Sequence, residues 1–247
     1  MTPTSYKAIV FGSTGATGSV LIHQLVHNNQ FTNVTAATRK SIPNLYQRFG
    51  LINNNDTNKL NELIIDYDHI TDDIKQQINE YDVVFCTLGT TKAHAGSAEQ
   101  FRLIDYQYVM NIAQSINSTT GTHVKHFIYQ SSQGANEHST LLYPRTKGEL
   151  ERDLLKHTTI KYLTILRPGL LLTNRINDNR VGERIAQYVY PIISSIFPSE
   201  YKSVDTRSVA ARMIIESLDQ SRRERYKLVT NGVCVNTKWP TDADWKL

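Results

Sequence analysis

Gly12, Gly15 and Gly18 lie in Lys7-Ala-Ile-Val-Phe-Gly-Ser-Thr-Gly-Ala-Thr-Gly-Ser19, where an apolar, β-branched run gives way to a helical pattern. A strand, a tight glycine turn and a helix N-terminus, in that order, make a diphosphate site. The first glycine permits the turn, the second lets backbone approach phosphate, and the third lets the helix pack on the strand. Free N–H groups and the positive end of the helix dipole then favour an anion beside Ser13, Thr14, Ala16 and Thr17. A second constellation, Tyr143-Pro-Arg-Thr-Lys147, puts a phenol and an ammonium on one helical face at i and i+4. A cation beside a phenol favours the phenolate and brings a poor acid or base into working range.

With thirteen tyrosines and thirteen lysines in the chain, roughly 0.7 such pairs arise by chance, so spacing alone decides nothing. Position decides more. The pair follows the apolar run His126–Tyr129, which ends in Gln130-Ser131-Ser132. In a doubly wound sheet the carboxyl ends of strands face the cofactor crevice. Ser131 or Ser132 is thereby placed to hydrogen-bond a substrate oxygen opposite Tyr143.

Strand-like runs that would position these groups are Ala8–Phe11, Val34–Ala37, Leu63–Asp66, Val83–Thr87, His126–Tyr129 and Tyr162–Leu166, with a weaker one at Tyr226–Val229. Several are continuously apolar, as parallel strands covered on both faces must be. Helical candidates alternate with them near Thr17–Asn28, Thr71–Glu80, Ala98–Ser118 and Pro144–His157. This rhythm predicts an α/β fold: a Rossmann-like, doubly wound parallel sheet with helices on both faces. Lys40–Asn61 is Asn-rich and reads as an extended loop. Beyond Leu166 the rhythm loosens, with Pro168, Pro191 and Pro198 and one helix expected around Gly182–Tyr190. Residues 1–247 are read as a single dinucleotide-binding domain, with 167–205 forming a small substrate lid that carries Tyr188, Tyr190 and Phe197.

The run Val34–Ala37 ends in Thr38-Arg39-Lys40. A site for an unphosphorylated adenosine ribose usually has a carboxylate there. Here a guanidinium, matched to phosphate, and a second cation replace it. Arg39 with Lys40 therefore argues for NADP(H) over NAD(H).

The segments GSTGATG at 12–18, CTLGTTKAHAG at 86–96, HFIYQSSQGA at 126–135, YPRTKGELE at 143–151 and LRPGLLL at 166–172 together resemble an atypical short-chain dehydrogenase/reductase. The likeness is to its TIP30-like (HTATIP2/Fmp52-like) oxidoreductases, and it extends to about residue 218. The resemblance implies a Ser-Tyr-Lys set, with Ser132 favoured over Ser131. Tyr143 would exchange the proton with the substrate oxygen, and Lys147 would hold the nicotinamide ribose. Strand order and the resemblance together imply Asp66 at the adenine, Leu88 and Gly89 beside the adenosine, and Pro168 bordering the nicotinamide. Many superfamily members add an Asn on the helix before strand five, which makes Asn111 a candidate that the TIP30-like pattern does not require.

Net charge is +4 and no basic tract is concentrated, which argues against a nucleic-acid partner. Two cysteines, Cys86 and Cys234, support neither a disulfide framework nor a metal site. No apolar stretch is long enough to form an integral membrane segment. A cytoplasmic protein is expected, with peripheral association at the mitochondrial outer membrane as the alternative drawn from fungal relatives. His94 and His138 lack partners at ligand spacing and are read as surface residues. The function expected is hydride transfer between nicotinamide and a small carbonyl or alcohol substrate. A regulatory or scaffolding protein that binds NADP(H) without turnover is the competing expectation.

Overall fold

A computed structural model describes residues 5–51, 58–116, 126–156, 158–172, 202–219, 221 and 224–238. The strands are β1 (Tyr6–Phe11), β2 (Phe31–Thr38), β3 (Leu60–Ile64), β4 (Val83–Cys86), β5 (His126–Gln130) and β6 (Leu163–Arg167), then the two-residue β7 (Leu171–Leu172) and β8 (Val204–Asp205), and β9 (Tyr226–Thr230). Seven of them form one sheet in the order β3-β2-β1-β4-β5-β6-β9. Every pairing in it is parallel.

Alternation along β1 explains the layering. Ala8 and Val10 join one core with Leu21, Leu25, Val209 and Met213. Ile9 and Phe11 join the other with Val109, Ile112, Leu150 and Leu154. A strand buried on both faces has no polar side to show, hence the unbroken apolar runs. The described helices are α1 (Ala16–His27), α2 (Leu45–Arg48), α3 (Asp72–Ile78), α4 (Lys92–Ala95), α5 (Ala98–Arg102), α6 (Tyr108–Ser115), α7 (Leu142–Lys156), α8 (Thr206–Leu218) and α9 (Asn231–Asn236), and buried residues of α1, α3, α6, α7, α8 and α9 join those layers. Strand order reverses between β1 and β4. Crossovers leave in opposite directions there, and a crevice opens above the carboxyl ends of these two strands.

Four expectations are revised. The helix expected over Ala98–Ser118 is α5 and α6 joined by a π-helical turn, Leu103–Gln107, and residues 117 and 118 lie outside the described residues. The third strand starts at Leu60, which pairs with Val34, and ends before Asp66. Within the loop expected over Lys40–Asn61, the short α2 forms, and 52–57 lie outside the described residues. Helices α8 and α9 were not expected. Asp205 caps α8 by accepting from the Arg207 N–H, and its buried Val209, Ala210, Met213 and Ile214 recur at helical spacing.

The expected helix at 182–190, the lid aromatics and most of 167–205 fall on residues 173–201, outside the described residues. The described flanks are joined. Leu171 and Leu172 pair with Val204 and Asp205. The Asn231 side chain accepts from the Gly169 N–H at 2.6 Å and donates to the Lys202 carbonyl at 2.7 Å.

Candidate active site

The glycine turn follows β1. Gly12 has φ +77°, and a Cβ there would lie 2.7 Å from the Thr87 carbonyl carbon. Thr87 closes this contact, its hydroxyl donating to the Phe11 and Gly12 carbonyls at 3.1 and 3.2 Å. At Gly18 a Cβ would fall 2.1 Å from the Gly12 carbonyl oxygen, so α1 starts in contact with the turn. Gly15 differs: its Cβ would meet only the Gly12 oxygen, at 3.1 Å, with open space otherwise. No side chain caps α1, and its first turn carries no acidic residue. Its N–H groups are therefore free to receive an external anion. Thr17 in that turn is buried, with a hydroxyl oxygen that has no hydrogen-bond partner. Ser13 is buried too, and its hydroxyl donates to the Ala37 carbonyl, so it braces the turn from β2.

Gly12 and Thr14 line one end of a cleft of about 680 Å³, with Leu88 and Tyr67 on its walls. Arg39, Lys40 and Arg48 line it as well, and no carboxylate does. Arg48 folds back from α2 to donate to the Thr14 carbonyl at 3.1 Å. Glu62 on β3 shapes the loop that presents the cations. Its carboxylate accepts from the Thr38 hydroxyl (3.2 Å), the Ser41 hydroxyl (3.0 Å) and the Ile42 N–H (2.7 Å). A diphosphate fits this donor set: free amides at the glycine turn, with Arg48 beside Thr14 and Arg39 and Lys40 also lining the cleft. Asp66 is not among the residues that line this cleft. It lies exposed beyond β3, accepting from the Asp68 N–H at 3.0 Å, and its neighbour Tyr67 lines the wall instead.

Tyr143 and Lys147 lie one turn apart on α7 with different surroundings. Tyr143 is 42 % exposed, its ring 5.9 Å from that of Phe101. Lys147 is buried, its ammonium 2.9 Å from Asp105 Oδ1 and 3.0 Å from the Tyr129 hydroxyl, to which it donates. Burial alone would push Lys147 toward neutrality. The Tyr129 hydroxyl and the Asp105 carboxylate outweigh burial and hold the ammonium well above the usual lysine range. Exposed Gly89 sits over this pair: a Cβ on it would lie 3.5 Å from Lys147 Nζ and 3.4 Å from Asp105 Oδ1. The start of α7 is pressed on the loop after β5. A Cβ on Gly148 would come within 2.2 Å of the Glu137 nitrogen, and Asn136 N–H donates to the Pro144 carbonyl.

The two serines separate. Ser131 is buried, and its hydroxyl donates to Glu151, which also pairs with Arg167. Ser132 is partly exposed and engages only the neighbouring Gln133 carbonyl, at 3.1 Å. Of the two hydroxyls, that of Ser131 is engaged by a buried carboxylate and that of Ser132 only by a backbone carbonyl. Pro168 is buried, and its carbonyl accepts from the Gln133 N–H, joining the β5 and β6 loops. Asn111 does not reach Lys147; it donates to the Tyr67 carbonyl at 3.0 Å. Exposed His94 bonds Thr91, and exposed His138 lies 3.8 Å from Glu137. Burial pushes the Cys86 and Cys234 thiols up to about 12, which leaves them unreactive at neutral pH.

Sequence reasoning missed Asp105, Tyr129, Arg48, Glu62 and Asn231. A polar residue in an apolar helical stretch, Leu103-Ile-Asp-Tyr, was the available signal for Asp105. The π turn, by adding a residue to the helical circuit, turns that residue to a face a regular helical wheel misassigns.

The parallel sheet, its switch point and the glycine turn define a dinucleotide-binding protein. The chain belongs to the NAD(P)H-binding family, whose model matches residues 12–194, and within it to the proteins named HTATIP2 and FMP52. It is 30% identical to HTATIP2 of Rattus norvegicus over 195 residues, 79% of this chain and 74% of that protein. It is 33% identical to the mitochondrial protein FMP52-1 of Scheffersomyces stipitis over 222 residues, 87% of this chain and 90% of that one. FMP52 of Candida albicans, also named mitochondrial, is 33% identical over 185 residues, 74% of this chain and 75% of that one. Among solved structures, Gre2 of Candida albicans in complex with NADPH superimposes with TM-score 0.65 at 18% identity, covering 91% of this chain and 78% of that chain. The PhqB reductase domain of Penicillium fellutanum also gives 0.65, at 17% identity over 92% of this chain and 67% of that one. These two likenesses concern the fold. Among the described residues no helix is long and apolar enough to cross a membrane.

Proposed function

We propose that this protein is an NADP(H)-dependent oxidoreductase that interconverts a small carbonyl compound and its alcohol. The observation that carries the reading is the α7 arrangement: a half-exposed phenol one turn from a buried lysine whose ammonium is paired with Asp105 and Tyr129, in the same fold as a glycine turn with free amides. The reduced cofactor, when bound, supplies a hydride to the carbonyl carbon. Tyr143 passes its hydroxyl proton to the carbonyl oxygen, and Ser132 donates a hydrogen bond to the same oxygen. With Asp105 and Tyr129 engaged, Lys147 keeps at least one N–H for the nicotinamide ribose, reached past the side-chain-free Gly89. Gly12 to Gly18 would hold the diphosphate, Leu88 would border the adenosine, Gly89, which lies over Lys147, would meet the nicotinamide ribose, and Pro168 would border the nicotinamide. Residues 167–205 are proposed to cover the substrate.

The test is to follow loss of reduced nicotinamide absorbance with purified protein, NADPH and a panel of aldehydes and ketones. Turnover with at least one carbonyl is the expected result. Tight NADPH binding with no turnover across the panel would overturn the catalytic reading and leave the regulatory one. For location we propose the cytoplasm, with attachment at the mitochondrial surface as the alternative that the FMP52 names favour. Cell fractionation decides between them.

Cofactor preference carries its own prediction. Arg39→Ala is expected to weaken NADPH binding roughly tenfold to a hundredfold, the scale of one hydrogen-bonded charge pair, and NADH binding by less than about threefold. Arg48→Ala is expected to follow the same pattern with a smaller ratio, since Arg48 also braces Thr14. Calorimetric titration with each nucleotide measures both ratios. Equal losses for the two nucleotides would assign these cations to loop structure and not to a 2′-phosphate.

A further inference from the structure

We infer that Asp105 is the positioning residue of the hydride-transfer site, the counter-ion that holds Lys147 in place and ties it to the cleft wall through Thr90. The inference rests on the function proposed above for its catalytic meaning, and on geometry alone for the pair itself. Asp105 lies on the π turn with no exposed surface, and Lys147 is 3 % exposed. Its two oxygens serve different partners: Oδ1 faces Lys147 Nζ at 2.9 Å, and Oδ2 accepts the Thr90 N–H at 2.7 Å. Thr90 follows Leu88 and Gly89, so one buried carboxylate fixes both the wall beside the nucleotide and the ammonium behind it.

The groups that act on Lys147 or share its pocket are Tyr129 on β5, Tyr143 on α7, Cys86 on β4 and Asp105. Asp105 is the carboxylate among them. A buried charge that loses its partner costs far more than the pair gains, because nothing replaces the lost hydration. Removing the carboxylate charge therefore leaves burial as the main influence on Lys147, and burial favours the neutral amine. In wild type the folded protein binds the Lys147 proton more tightly than the unfolded chain does, so this contribution is kept at neutral pH and fades only in strong alkali. Without the carboxylate the order reverses. The folded protein then binds that proton less tightly, and the deficit shrinks as pH rises toward the unfolded lysine value.

Asp105→Asn is the informative change, because the amide oxygen can still accept from Thr90 while the charge is gone. In the nucleotide-free, full-length protein it is expected to lower Tm by roughly 6–20 °C at neutral pH. The loss should become smaller in melts between pH 7 and about pH 10. Adding Lys147→Met to Asp105→Asn is expected to recover at least half of it, since the double variant buries no uncompensated charge. Losses that simply add, or that stay constant with pH, would overturn the pairing. A coupled cycle in which Asp105→Asn binds NADPH and turns over like wild type would overturn the positioning role. Should wild type bind neither nicotinamide dinucleotide, the function proposed above would fail, and the melts would still decide whether Asp105 is the lysine's counter-ion.

Discussion

A Gly18→Ala variant is expected to melt roughly 6 °C or more below wild type, and a Gly15→Ala variant to keep its melting point while losing at least tenfold in NADPH affinity. The contrast follows from where each methyl would go. At Gly18 it would sit 2.1 Å from the Gly12 carbonyl oxygen, 2.8 Å from the Gly12 carbonyl carbon and 2.8 Å from the Thr87 hydroxyl oxygen. Two of those atoms are backbone, in a turn where Gly12 already holds φ +77°, so relief requires α1 to move off the sheet. Overpacking costs about 1–3 kcal/mol even where side chains can yield, and here they cannot. At Gly15 the only near atom is the Gly12 oxygen at 3.1 Å, and a shift of a few tenths of an ångström accommodates it. The methyl then points into open space above the helix N-terminus, where a phosphate oxygen would lie if the diphosphate binds there. Thermal melts with calorimetric titration of NADPH check both variants. If Gly15→Ala bound NADPH as wild type does, the turn would hold no phosphate.

How far the sequence could be read depends on how local each cause is. Val83–Cys86 was legible because all four residues are buried on both faces of a parallel sheet, which leaves an unbroken apolar run. The start of β3 was not, because Asn61 and Glu62 interrupt its apolar pattern. Glu62 has its reason in three donors some twenty residues away in sequence. The same distance hid Arg48, whose partner Thr14 is 34 residues off. Helix α8 was legible in principle, from Asp205 as cap and the spacing of Val209, Ala210, Met213 and Ile214. The glycine turn and the Tyr143–Lys147 pair stood out because each is a short-range pattern. The choice between Ser131 and Ser132 rested on analogy at the sequence level. In the structure Glu151, itself paired with Arg167, accepts from the Ser131 hydroxyl, while the partly exposed Ser132 hydroxyl engages the Gln133 carbonyl.

Tyr143→Phe is expected to lower kcat for carbonyl reduction by about 10²–10⁴, the scale of a lost general acid, with NADPH affinity unchanged within about threefold. The change removes one oxygen from a residue that is 42 % exposed, whose ring still meets Phe101. The fold should therefore stand, with Tm within about 2 °C of wild type, as for a surface substitution. Tyr129→Phe supplies the counter-experiment. It also removes one phenolic oxygen near Lys147, but from a fully buried residue whose hydroxyl accepts the lysine's hydrogen bond at 3.0 Å. That variant should lose stability, because a buried ammonium gives up a partner, while Tyr143 remains to donate a proton. The pair of variants separates chemistry from support: one should lose turnover and keep its melting point, the other should lose melting temperature and keep the larger share of turnover. Equal turnover in wild type and Tyr143→Phe would remove Tyr143 as the proton source. The partly exposed Ser132 hydroxyl would then be the next group to test, since Ser131 is held by Glu151 and the Tyr129 hydroxyl is buried against Lys147.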